Sequence, residues 1–263
     1  MNKTITHQSV HFTQFSQNVV IAELPKKFML IQHDTPHYLC VLAANELKKY
    51  LSEQQDWEHN FGLSESSMPI VGKMFGVLIV QTKENEIGYL AAFSGKLAGG
   101  NHHAKFVPPV FDMLTDGSFL NKGMKELTLK NQEIKKLQAE KPSDTALLDF
   151  LMEKRKNYSF VLQQRLFESY TFLNQEGVYK NLFVIFQDAN RKTPPSGTGE
   201  CATPKLLQYA FLHQMKPLAI AEFWWGQSPK GNKRKHGHFY PCCEEKCEPI
   251  LGYMLKNIEK EYL

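Results

Sequence analysis

Hydrophobic and polar positions along the chain predict an alternation of helices and strands. From Thr35 to Leu51, Leu39, Leu42, Ala43 and Leu47 share one helical face, and Pro36 suits an early helical position. Phe75-Gly76-Val77-Leu78-Ile79-Val80 is a continuous apolar run of strand length. Lys83-Glu84-Asn85-Glu86 turns the chain into a second run, Ile87 to Phe93, which predicts an antiparallel hairpin. A loop follows, rich in glycine and histidine and ending at Pro108-Pro109.

Between Gly123 and Gly177 the period changes. Leu127, Ile134 and Leu137 form one helical stripe, and Lys141-Pro142-Ser143-Asp144 interrupts it, with Ser143 or Asp144 as the next N-cap. Leu147, Leu148, Leu151, Arg155, Tyr158, Leu162 and Leu166 continue in steps of three and four. Two antiparallel helices are expected, as a hairpin inserted in, or an arm on, the body at 123–177. The sheet pattern then resumes, with a strand expected at Leu182–Phe186. A sharp loop at Pro194–Gly199 and a helix opening near Glu200 follow. A strand is expected at Leu218–Trp225, then a basic loop to His238 and a last helix after Pro241. The whole, 1–263, reads as a single α/β domain: a mixed sheet with flanking helices plus the long helical hairpin.

Composition agrees with a globular chain. The 263 residues are 42% hydrophobic and 22% charged, which excludes a disordered or collagenous chain. Lys and Arg number 31 against 27 Asp and Glu, a net charge of +4 that permits an RNA partner without implying one. The polar start, Met1 to His7, has no apolar run behind it, so no signal peptide or membrane span is expected, and a cytoplasmic location is the default. Cysteines there serve as metal ligands, reactive groups or packed side chains more often than as disulfides.

The five cysteines carry the candidate chemistry. Cys201 stands at one helix start, and Cys243 and Cys247 stand near the next. Helix N-termini favour the thiolate, so two adjacent helix starts at one sheet edge could gather three thiolates around a zinc ion, with His238 as the fourth ligand. Three buried thiols without a metal fit the same pattern. The order of elements resembles the zinc-dependent nucleotide deaminases, which pair H-x-E or C-x-E with P-C-x-x-C. A cytidine-deaminase-like three-layer arrangement is the fold this implies. Thr203 stands where their catalytic glutamate belongs, and the C-x-x-x-C spacing is longer by one; Glu200 would have to substitute.

A second group lies just before those last cysteines. Trp224 and Trp225 are followed by Lys230, Lys233, Arg234, Lys235 and His236. Aromatic rings beside cations suit single-stranded nucleic acid, through stacking and phosphate contacts. A core strand followed by a solvated loop fits equally. Ser196-Gly197-Thr198-Gly199 lacks the lysine of a phosphate-binding loop and reads as a tight turn, and His102-His103 reads as solvated loop.

Several runs occur together: His59-Asn60-Phe61-Gly62-Leu63, Gly72 to Leu78, Gly88 to Leu97, Phe106 to Asp112, Gly197-Thr198-Gly199-Glu200-Cys201-Ala202 with Pro204-Lys205-Leu206-Leu207, and Ala221-Glu222-Phe223-Trp224-Trp225-Gly226 with His236 to Pro241. In this order they resemble the N-terminal extension of long-chain RluA-type ribosomal RNA pseudouridine synthases. The resemblance implies an accessory role, binding or positioning RNA beside a catalytic domain that isomerises uridine to pseudouridine. That domain's H-R-L-D motif does not occur here; the nearest run, Arg165-Leu166-Phe167, lacks both His and Asp. The expectation is a truncated chain or a free-standing relative of the extension, non-catalytic by itself. Two further readings are a divergent zinc-dependent deaminase-like domain and a protein-interaction module working through the hairpin 123–177.

Overall fold

A computed structural model describes residues 10–20, 24–31, 35–115, 117–141, 143–229, 231 and 234–263. The chain is mixed α/β. Its elements are β1 (Thr13–Gln14), β2 (Phe28–Leu30), α1 (Tyr38–Glu53), β3 (Lys73–Gln81), β4 (Ile87–Phe93), α2 (Phe119–Glu140), α3 (Thr145–Ser169), β5 (Thr171–Leu173) and β6 (Tyr179–Asn181), then α4 (Leu182–Asp188), α5 (Ala202–Leu212), β7 (Lys216–Trp225), β8 (Phe239–Tyr240), α6 (Glu248–Met254) and β9 (Lys260–Tyr262).

The main sheet runs β1-β4-β3-β7-β2-β9, with β8 also paired to β7. The β3–β4 hairpin turns at Asn85, whose φ of 64° lies in the left-handed region that Asn tolerates. β7 is antiparallel to β3, while β2 and β9 run parallel to their neighbours. Successive side chains of a strand face opposite sides, so two cores form. Phe75, Val77, Ile79, Ala219, Ala221 and Phe223 pack with α1 through Leu39, Cys40, Ala43 and Leu47. Leu78, Val80, Leu90 and Ile220 pack on the other side with α5 and α6, through Leu206, Ala210, Ile250 and Met254. Burial on both faces explains why β3 and β7 read as unbroken apolar runs rather than alternating ones.

Helix α1 begins at Tyr38 behind an N-cap at His37, so Pro36 lies before the helix rather than in its first turn. Asp144 caps α3, its side chain accepting from the Leu147 amide. Along α2 and α3, Gly123 meets Leu162, Glu126 meets Tyr158 and Asn131 meets Arg155, a descending register that makes the helices antiparallel. Leu147, Phe150 and Val161 stand exposed on α3. Residues Leu182 to Phe186 are helical, which corrects the strand expected there. Asn181 accepts from the Val184 amide as an N-cap, and the buried positions are Leu182, Ile185 and Phe186, a helical spacing. Five apolar residues are too few for periodicity to decide between the two. No helix among the described residues is long and apolar enough to cross a membrane.

One contact brings α5 down onto the sheet. Gly76 of β3 pairs with Glu222 of β7, and a Cβ on Gly76 would stand 3.0 Å from Ala202 Cβ and 3.1 Å from Leu206 Cδ1. Glycine here permits the close approach of the first turn of α5. Gly76→Val should therefore destabilise the protein by roughly 1–3 kcal/mol through overpacking, read as a lower urea midpoint with an unchanged slope.

Candidate metal centre

Cys201 is the N-cap of α5, and its side chain makes no capping hydrogen bond. Cys247 is the N-cap of α6, and its amide donates to the Cys243 carbonyl at 3.2 Å. That bond closes a helical turn, so the C-x-x-x-C spacing is what aligns both thiols on one side. The sulfurs of Cys201, Cys243 and Cys247 lie within 4.8 Å of one another. Tetrahedral zinc with sulfur at about 2.3 Å holds its sulfurs about 3.8 Å apart, so small side-chain rotations would close the three onto an ion.

The electrostatics are uneven. Cys243 accepts from the thiols of Cys201 and Cys247 and from the amides of Lys246 and Cys247, which hold its pKa far below the thiol range. Cys201, donating to Cys243, is pushed up, and so is Cys247. One thiolate shared by two thiols is a donor set that an ion completes by displacing two protons. Cys201 and Cys243 are half-buried and Cys247 is buried. Cys242 is not one of the three; its sulfur lies 3.2 Å from Thr203 Oγ1. Cys40 is buried in the opposite core, where burial raises its pKa.

His238 does not join the three thiols. It is exposed on the approach to β8, where its amide donates to the Lys235 carbonyl. Glu200 is not in the trio either; its charge acts on Lys73 and Lys205, and its carbonyl accepts from the Gly95 amide.

Two buried ionisable groups missed by the sequence reading flank the centre. Glu222 is 5% exposed, and its Oε1 accepts from the Thr203 amide at 2.9 Å and from Thr203 Oγ1 at 2.8 Å. Burial raises its pKa to about 6, against the Thr203 bonds that lower it. Lys205, on α5, donates to the carbonyls of Phe93 and Gly95 at 2.9 and 3.1 Å, and burial lowers its pKa to about 8. The available signal was a charged residue at an inward position of an apolar element, Glu222 in Ile220-Ala221-Glu222-Phe223 and Lys205 in Pro204-Lys205-Leu206-Leu207.

The aromatic–basic group is dispersed. Trp225 is buried, edge-on to Phe223 and 4.3 Å from the ring of His236. Trp224 is half-buried, its Nε1 donating to the carbonyls of Gly226 and Gln227. Both indoles thus serve the end of β7. Lys235 and His236 are exposed; Lys230 and Lys233 lie outside the described residues. Arg234 stacks 4.5 Å from the Tyr240 ring and acts electrostatically on Glu222. In the other loops, His102 pairs with Asp112 at 3.0 Å, and Thr198 closes the glycine turn on the Pro195 carbonyl.

Comparison of the chain with protein-family models, with curated protein sequences and with solved structures gives no match.

The uneven ionisation has a direct readout. In metal-free protein at neutral pH, iodoacetamide should modify Cys243 first and Cys40 last, followed by peptide mass spectrometry. Zinc added beforehand should slow labelling of Cys243 while leaving Cys40 as it was.

Proposed function

We propose that this chain is a zinc-binding accessory domain that holds RNA beside a pseudouridine-forming catalytic domain. The observation that carries the zinc part is the convergence of Cys201, the N-cap of α5, with Cys247, the N-cap of α6, and Cys243 from the turn that precedes it. Their all-sulfur chemistry suits zinc, and the preformed thiolate of Cys243 suits any divalent thiophile. The ion, when bound, supplies a clamp between the start of α5 and the start of α6. The chain's own residues do the rest: Gly76 lets α5 sit close, and the Cys243–Cys247 turn presents two sulfurs together.

RNA is the partner that the family resemblance implies. With both tryptophans and the His236 ring engaged in the fold, the contact surface in this reading is the cationic loop after β7, including Lys235, acting on phosphates rather than through indole stacking. The deaminase-like reading is supported by element order: α1, the β3–β4 hairpin, α5 with one thiol, β7, then α6 with two. Thr203 in the carboxylate's place favours that fold without its activity.

Two measurements test the proposal. Elemental analysis of purified protein should find about one zinc per chain, and Cys247→Ser should remove most of it. A wild-type protein free of stoichiometric metal would overturn the zinc part. Binding to ribosomal RNA fragments should fall steeply between roughly 50 and 200 mM salt. Replacing Lys230, Lys233 and Lys235 together by Glu should weaken it at least about tenfold at the lower salt and flatten the salt slope by about one per lysine. Salt-insensitive binding, or an unaffected triple variant, counts against RNA.

A further inference from the structure

The start of α5 breaks a rule of helix capping. An N-cap side chain ordinarily offers an oxygen to the amide of the second or third helical residue, which has no partner inside the helix. The N-cap here is Cys201, and its sulfur makes no such bond. The amide it leaves open is that of Thr203, the second residue of α5, and this amide is buried. It is satisfied from another element: Glu222 Oε1, on β7, accepts it at 2.9 Å and accepts the Thr203 hydroxyl as well.

We infer that Glu222 is the positioning residue of the metal centre: it caps α5 from the sheet in place of Cys201 and so leaves the Cys201 sulfur free to face Cys243 and Cys247. The inference rests on the zinc reading above and concerns how the ligand set is aimed. Three observations support it. Glu222 stands on the inner strand β7, flanked by Gly76 of β3 and Tyr240 of β8, so the acceptor is held by two ladders. Gly76, directly opposite, gives α5 room to come within reach. Thr203 Oγ1 also touches the sulfur of Cys242, the neighbour of Cys243, so the same carboxylate ties both helix starts together. Arg234 acts electrostatically on Glu222, its Nη1 buried without a hydrogen-bond partner among the described residues.

Zinc affinity, by competition with a chromophoric chelator, and the sulfur-to-cobalt charge-transfer spectrum of the Co²⁺-substituted protein test this. Glu222→Ala should bind zinc about 10- to 100-fold more weakly, the range for loss of a residue that orients a ligand. Glu222→Gln keeps an acceptor oxygen for Thr203 and should stay within about threefold of wild type, with the wild-type cobalt spectrum. Thr203→Val removes one of the two bonds and should fall between them; it carries the test if Glu222→Ala does not fold. Unchanged affinity and spectrum in Glu222→Ala or in Thr203→Val, or a Glu222→Gln as weak as Glu222→Ala, overturns the inference while the zinc reading stands. A wild-type protein that takes up neither zinc nor cobalt overturns both.

Discussion

A single carboxylate oxygen at the middle of the sheet fixes where α5 begins. Glu222 Oε1 receives two donors from Thr203, and everything at the sulfur edge is placed relative to that first turn. Shift α5 by a turn and Cys201 leaves the trio; lift it off Gly76 and the bonds to Glu222 are lost. The interaction is costly to leave unmade, because an unpaired buried amide or carboxylate forfeits its hydration without return. A buried acid is therefore tolerable at this point of β7 only with α5 seated, and α5 seats fully only over a residue as small as glycine.

The centre also shows how two cores can share one strand without sharing a purpose. The α1 face of β7 is wholly apolar at Ala219, Ala221 and Phe223, and it packs as an interior does. The α5 face is apolar at Ile220 and becomes polar at Glu222 as the strand approaches the sulfur edge, while Leu218, at the irregularity in the β3–β7 register, packs on the α1 side. Binding chemistry thus sits where the strand leaves its packed middle, supported by a rigid ladder on either side.

Much of this was legible in the sequence. The long stripes of α2 and α3 and the apolar runs of β3, β4 and β7 announced themselves, because length and period agreed in each. The stretch at 182–186 did not, since five apolar residues suit either state and the deciding residue, Asn181, acts only as a cap. The cysteine trio was legible as three thiols at helix starts, but His238 was not separable from it, as spacing says nothing about which side of a loop a ring leaves. Trp224 and Trp225 read equally as a stacking surface or as the end of a core strand, because composition cannot tell an indole that closes a strand end from one that is offered to a ligand. Glu222 was legible as an acid inside an apolar run, but its role was not: its partner lies on a different element, and no local pattern records a cap supplied from a distance.

The parallel edge of the sheet carries a consequence for how the chain is made. β2 lies between β7 and β9, so Met29 pairs with Ala219 on one side and Glu261 on the other. β2 precedes both partners by a long stretch of chain that includes α1 to α5, so it must wait, unpaired, until β7 and β9 have emerged. During translation its exposed backbone and the buried side chains of Phe28 and Leu30 need shelter from other chains, and contacts of such long sequence separation form late. The hairpin of β3 and β4 can close on the ribosome early; the β7-β2-β9 edge forms only after β9 has been made.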